Sequence, residues 1–307
     1  TPQTTVPAGA APSTTPPGPG GKPGIPATGS YFGIWLNPID GKTDQASTKA
    51  SWTKRIDDLG REIDIAQSYY PFTTSFPSWR ETWHIQNGRT PMIAWNGTSS
   101  SDVISGKHDA LIRTRARAVK ALGVPVFLRY FWEPDATKKA DVVGSYDLYK
   151  QNWRHVKRIW DEEGVTNAAW IWCPTAWGFV TGEAQKYYPG DDVVDWICAD
   201  GYNWGPAKNA WNSWTKIYKS FYEFGTARGK PLMAGEWGST EGLTEGQKKT
   251  WFEATRNEIK AMPAIKAVVY FDSKRIENGI WMDWRPDSTP GSYSAYIALA
   301  RDPYFDR

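Results

Sequence analysis

Cysteine is nearly absent from this 307-residue chain, which has Cys173 and Cys198 alone, so a disulfide framework of the kind that staples small secreted folds is excluded. The two fall on consecutive strand-like segments, 171–175 and 196–202, where one bridge and two buried thiols are both open readings. Histidine is as scarce. His84, His108 and His155 are scattered, the last two in helix-like segments, with no cysteines or carboxylates at ligand spacing; neither a metal site nor a cofactor is expected. No apolar run reaches the roughly 18 residues a membrane-spanning helix needs. The first residues show no signal-peptide pattern, so the chain reads as a mature or trimmed form. Charge of one sign is lacking too: 36 basic residues against 33 acidic leave a net +3 in no long blocks. Nothing marks a surface for nucleic acid or for an anionic membrane. A Gly-x-Ser-x-Gly elbow is missing, which argues against an esterase.

Aromatic side chains, in contrast, are abundant, with 19 tryptophans and 15 tyrosines. That exceeds what core packing usually needs, and indole faces suit the C–H faces of pyranose rings, so an uncharged carbohydrate partner is indicated. Residues 1–28 are almost wholly Pro, Thr, Gly, Ala and Ser. Such a segment cannot bury enough apolar surface to fold and is expected to be a disordered linker. Thr/Pro linkers are typical of exported modular enzymes, where they tether a catalytic unit to a binding module, a cell wall or a removed signal segment, so the protein is expected to be secreted; it is expected to be a monomer, with a binding module as one partner this segment could join.

From Tyr31 onward strand-like and helix-like segments alternate, the signature of βα units around a parallel sheet. The expected strands are 31–37, 62–69, 90–96, 125–132, 168–174, 194–202, 231–237 and 265–272. Eight repeats predict a single (β/α)8 TIM barrel over residues 29–307, with functional groups at the carboxyl ends of the strands. The fifth repeat is the least marked, since Tyr187-Tyr188-Pro189-Gly190-Asp191-Asp192 reads as loop.

Two of the strands end alike: Val126-Phe127-Leu128-Arg129-Tyr130-Phe131-Trp132-Glu133 and Pro231-Leu232-Met233-Ala234-Gly235-Glu236-Trp237 each close on a glutamate beside tryptophan. A lone glutamate at a strand end is ordinarily a solvated or ion-paired structural residue. Two, on strands four and seven of a closed barrel, face one another across the mouth, the arrangement glycoside hydrolysis requires. Side-chain alternation puts Arg129 on the face of Glu133, and Asp200 on that of Tyr202. A buried arginine needs such an acidic partner, so Arg129 reads equally as a structural lock on Asp200 and as a sugar contact. Trp35, Trp95, Trp177, Trp204, Trp237 and Trp281 lie at or just after strand ends, where they could stack on successive sugars or serve as packing. Asn96-Gly97-Thr98 fits a glycosylation sequon and equally a loop at the site mouth.

These motifs resemble glycoside hydrolase family 26, in the clan of retaining (β/α)8 enzymes, and the resemblance covers most of residues 31–307. It implies Glu133 as acid/base, with Arg129 at the family's spacing before it, Glu236 as nucleophile, and Tyr202 as the tyrosine that contacts the nucleophile. The segments Trp170-Ile171-Trp172-Cys173-Pro174, Tyr187 to Asp191 and Val194 to Tyr202 also resemble the family. One position departs: Trp132 stands where the family usually has histidine, and an indole can donate one hydrogen bond but cannot accept or titrate. The expected function is a retaining endo-hydrolase of a β-linked polysaccharide, β-mannan first, mixed-linked β-glucan and β-1,3-xylan as the alternatives. The rival reading is a noncatalytic carbohydrate-binding barrel, against which stands the presence of both glutamates.

Overall fold

A computed structural model describes residues 17–277 and 279–306. Eight parallel strands, β1 (Tyr31–Leu36), β2 (Ile65–Tyr70), β3 (Thr90–Trp95), β4 (Val126–Tyr130), β5 (Ala168–Trp172), β6 (Trp196–Asn203), β7 (Leu232–Ser239) and β8 (Ile265–Asp272), pair in chain order. The barrel closes where β8 runs in register beside β1, from Tyr31 opposite Ala267 to Leu36 opposite Asp272. Helices lie between the strands, as the alternating pattern predicts.

Several helices begin at residues suited to cap them. Asp44, Ser145, Ser213 and Thr289 each accept a hydrogen bond from a first-turn backbone N–H, and Ser78 with Glu81 forms a capping box ahead of Trp79–Gln86. The weakly marked fifth repeat is two short helices, Ala176–Thr181 and Glu183–Lys186, separated by Gly182 at φ 80°.

Strand alternation divides the core in two. One face of each strand packs outward beneath the helices, with Ile34, Ile93, Leu128, Trp170, Ile197 and Val268 among the buried residues. The other face fills the barrel: Tyr31, Ile65, Met92, Phe127, Trp196 and Val269 belong to a separate apolar cluster. Toward the carboxyl ends the same inward rows turn polar, giving Gln67 after Ile65, Arg129 after Phe127 and Asp200 after Cys198. The apolar plug below thus carries a polar floor above, which fixes where chemistry can occur.

Two expectations are revised. Trp95 and Trp237 are fully buried in the outer layer and cannot stack on sugar. Trp95 lies 5.2 Å from Phe72 in a parallel stack and donates its indole N–H to the Phe72 carbonyl, while Trp237 packs edge-on against Trp214 and Tyr270. The linker reading also gives way at its carboxyl end. Pro23, Gly24 and Pro26 are buried, Lys22 pairs with Asp195 at 2.7 Å, and Tyr31 donates its hydroxyl to the Gly24 carbonyl; residues 22–26 are docked on the barrel. Residues 1–16 of that reading lie outside the described residues.

Candidate active site

Glu236 faces the barrel interior because β7 carries one extra residue. Ala199 pairs with Ala234 and Asp200 with Glu236, which leaves Gly235 unmatched as a bulge. A β-carbon on Gly235 would stand 2.3 Å from Cys198 Sγ and 3.0 Å from Cys173 Sγ, so only glycine fits. Those two cysteines form a disulfide inside the barrel, between β6 and the end of β5. The bulge turns Glu236 inward and sends Trp237 to the outer layer, which is why the expected Trp237 contact fails.

Three side chains hold the Glu236 carboxylate. Tyr69 donates at 2.5 Å and Arg129 Nη1 at 2.7 Å to Oε1, and Tyr202 donates to Oε2; Gln67 in turn contacts both Arg129 and Tyr69. Arg129 also pairs with Asp200 through its other terminal nitrogen. Its guanidinium is fully buried, with both terminal nitrogens taken by protein carboxylates, so the sugar-contact reading of Arg129 is replaced by the structural one. Burial alone would push Glu236 up. Arg129 and the hydrogen bonds from Tyr202 and Tyr69 override it and hold the carboxyl below its ordinary range.

Glu133 arrives by a different route. β4 stops at Tyr130, and the next residues leave the extended region, with φ 43° at Phe131 and 49° at Glu133. Phe131 N–H donates to the Trp95 carbonyl at 2.9 Å, and Glu133 N–H to the Cys173 carbonyl at 2.7 Å. Alternation therefore does not carry Glu133 to its place; these turns do. Burial, and then the charge of Glu236, push the Glu133 carboxyl above its ordinary range, against Lys139, Lys138 and Arg129. Oxygens of Glu133, Asp200 and Glu236 all lie within 4.8 Å of one another.

These three carboxylates could in principle hold a cation, as could Cys173, Cys198 and Asp200. In the first group Arg129 already supplies positive charge to two members, and in the second the sulfurs are joined.

The carboxylates open into a groove of about 1450 Å³ whose lining includes Trp35, Trp132, Trp177, Tyr202 and Trp204. Trp35 stacks on Phe271 at 4.5 Å, and Trp177 is 71% exposed at the rim. Trp281 is also exposed, but it stands outside this groove. It lies on a hairpin formed by Lys274–Glu277 and Ile280–Asp283, opposite Ile276, while neighbouring Met282 packs toward Phe271 and Trp284. The Asn96–Gly97–Thr98 loop abuts the Phe131 ring, whose atoms would lie 2.1 Å from a β-carbon on Gly97. Sequence reasoning missed Tyr69, Gln67 and Trp284. For the first two a signal existed: Gln67 and Tyr69 continue the inward row that starts at Ile65, and a glutamine in a buried row calls for a polar neighbour.

Tyr202→Phe is expected to lower kcat/KM by about 10- to 100-fold, the worth of one hydrogen bond to a charged group. Because that bond favours ionised Glu236, its loss raises the carboxyl, and the acidic limb of the pH profile moves to higher pH. An unmoved limb would show that Tyr202 does not act on Glu236.

A closed eight-stranded barrel with two carboxyls this close at its carboxyl-end mouth, shifted in opposite directions and set in a tryptophan-lined groove, defines the class as a glycoside hydrolase. The chain belongs to glycosyl hydrolase family 26, whose model matches residues 68–280. It is similar to endoglucanase H of Acetivibrio thermocellus, 29% identical over 254 residues, covering 77% of this chain and 27% of that protein. It is also similar to the β-1,3-xylanase TXYA of a Vibrio species, 29% identical over 150 residues, covering 47% of this chain and 30% of the xylanase. The chain thus spans less than a third of either relative. A family 26 β-mannanase from Bacteroides ovatus shares the fold with a TM-score of 0.63 at 16% identity, covering 91% of this chain and 90% of that one.

Proposed function

We propose that the protein is a retaining endo-hydrolase of a β-linked polysaccharide, with Glu236 as nucleophile and Glu133 as acid/base. The observation that carries this is the placement of two carboxyl groups with oxygens within 4.8 Å. Retaining enzymes hold the pair about 5–5.5 Å apart, whereas inverting ones leave about 6.5–9.5 Å for a water molecule. Ionised Glu236 attacks the anomeric carbon as protonated Glu133 gives its proton to the leaving oxygen. Glu133, now a carboxylate, then takes a proton from water, which attacks the same carbon and releases Glu236. Two displacements restore the starting configuration.

For the backbone we propose β-glucan first, then β-1,3-xylan, with β-mannan third. The support is twofold: relatives named as an endoglucanase and a β-1,3-xylanase stand at 29% identity, and Trp132 occupies the place of the family's usual histidine beside the acid/base. Glucose and xylose carry an equatorial 2-hydroxyl where mannose carries an axial one, so the wall beside the reacting sugar meets a different shape. We also propose that the protein is exported and acts as a monomer, joined through its Thr/Pro-rich segment to a binding module; a disulfide fits an oxidising compartment. Among the described residues no helix is long and apolar enough to cross a membrane.

The test is release of reducing ends from mixed-linked β-glucan, β-1,3-xylan and β-mannan, with the configuration of the first product followed by proton NMR. Retained β-configuration on glucan is expected. Initial release of the α-anomer would refute the mechanism, and binding without hydrolysis across the panel would restore the noncatalytic reading.

A further inference from the structure

The segment that delivers Glu133 is held in an unfavourable conformation. Left-handed φ is disfavoured at a side-chain-bearing residue, and Phe131 and Glu133 both adopt it within three residues. Such a turn persists only where its surroundings over-determine it. Three ties hold the turn: the Phe131 N–H to the Trp95 carbonyl, the Glu133 N–H to the Cys173 carbonyl, and the Tyr149 hydroxyl to the Phe131 carbonyl at 3.1 Å. The residue between them, Trp132, is held by a lysine.

We propose that Lys139 is a positioning residue, which clamps Trp132 by backbone and ring together and thereby sets the Glu133 carboxyl against the glycosidic oxygen. This rests on the acid/base reading of Glu133. Lys139 ends the short turn Thr137–Lys139 and is 7% exposed, an unusual setting for an ammonium group. It donates to the Trp132 carbonyl, and its nitrogen lies 4.1 Å from the centroid of the Trp132 ring. One cation thus fixes both ends of the residue before Glu133, by a charge-assisted hydrogen bond and by a cation–π contact. Burial lowers the ammonium to about 8, against the pull of Glu133; Arg129 and Lys138 lower it further, and Asp200 opposes them. Glu133 in turn faces Glu236, Lys139, Lys138 and Arg129. A cation beside Glu133 favours its ionised form, so removing the charge raises the carboxyl and moves the basic limb of kcat/KM, above which Glu133 has lost its proton, to higher pH.

The test compares the parent with Lys139→Met and Lys139→Gln on two substrates. One is the most rapidly hydrolysed polysaccharide; the other is a dinitrophenyl glycoside of its oligosaccharide, whose leaving group departs without a proton. A misplaced acid costs up to the 10²–10⁴-fold that general acid catalysis contributes. Lys139→Met is therefore expected to lose about 30-fold or more in kcat/KM on the polysaccharide and about 3-fold or less on the dinitrophenyl glycoside. Lys139→Gln keeps a donor without the charge, so its basic limb is expected to rise with a smaller loss of rate. Carbon-13 NMR titration of Glu133 needs no turnover and is expected to show the carboxyl raised in both variants. Equal losses on the two substrates, or a Glu133 titration unmoved in both variants, would overturn the proposal. Failure of the parent to hydrolyse any polymer refutes the proposed function instead and leaves the NMR comparison to decide this point.

Discussion

Glu236→Gln is expected to reduce polysaccharide hydrolysis about 10⁴-fold or more, on the scale seen when a covalent catalyst's nucleophile is removed. The amide nearly matches the carboxylate in shape but cannot attack the anomeric carbon. Three donors that converge on an anion also become mismatched, because Gln brings its own N–H₂ toward Tyr69, Arg129 or Tyr202. Glu133→Ala separates the two roles. Its hydrolysis of polysaccharide is expected to fall by about 10²–10⁴-fold, and azide, small enough for the vacated space, should capture the glycosyl-enzyme on the same face as water and give a β-glycosyl azide. An α-azide from this variant would mean that Glu133, not Glu236, is the attacking group.

Arg129→Met should have the second-largest effect, on stability as well as on rate. The guanidinium is fully buried between Asp200 and Glu236, and removing one partner from a buried ion pair costs about 3–5 kcal/mol because the remaining charge is stranded. The pH dependence follows. Without the cation both carboxyls titrate above their unfolded values, so the folded variant binds protons more readily than the unfolded chain, and its stability falls as pH rises. The deficit against the parent is expected to be full at neutral pH and to shrink toward pH 5, as measured by thermal unfolding. A deficit that is constant over that range would mean Arg129 contributes packing rather than charge.

The barrel and its strand-end glutamates were legible because the inputs are local: β-strand runs, helical periodicity and the position of one acid in each run. The eight strands fall within three residues of their expected bounds. Alternation remained valid at Arg129, Asp200 and Tyr202, which share the inward face. It broke in two places, both beside a glutamate. At Gly235 an extra residue shifts the phase, and no local rule reveals a bulge packed against a disulfide that joins the neighbouring strand to the end of β5. After Tyr130 the chain turns through left-handed conformations that Phe and Glu disfavour, so only tertiary contacts could disclose them. The tryptophans show the same limit. Trp35 and Trp95 both lie near the ends of their strands, yet one lines the groove and the other is in the outer layer; their opposite parity was readable, but which parity faced inward was not fixed by composition.

The bulge also ties reactivity to places no sugar can touch. Trp237, the residue after Glu236, is rooted among Trp214, Trp251 and Tyr270, and the Tyr218 hydroxyl, reaching in from helix 214–226, donates to the Glu236 carbonyl at 2.9 Å. Acid and jacket hang from adjacent links of one chain. Repacking the jacket by a few tenths of an ångström would tilt the attacking oxygen, so natural variation could adjust the speed of this catalyst from its periphery while every residue that faces substrate stays the same.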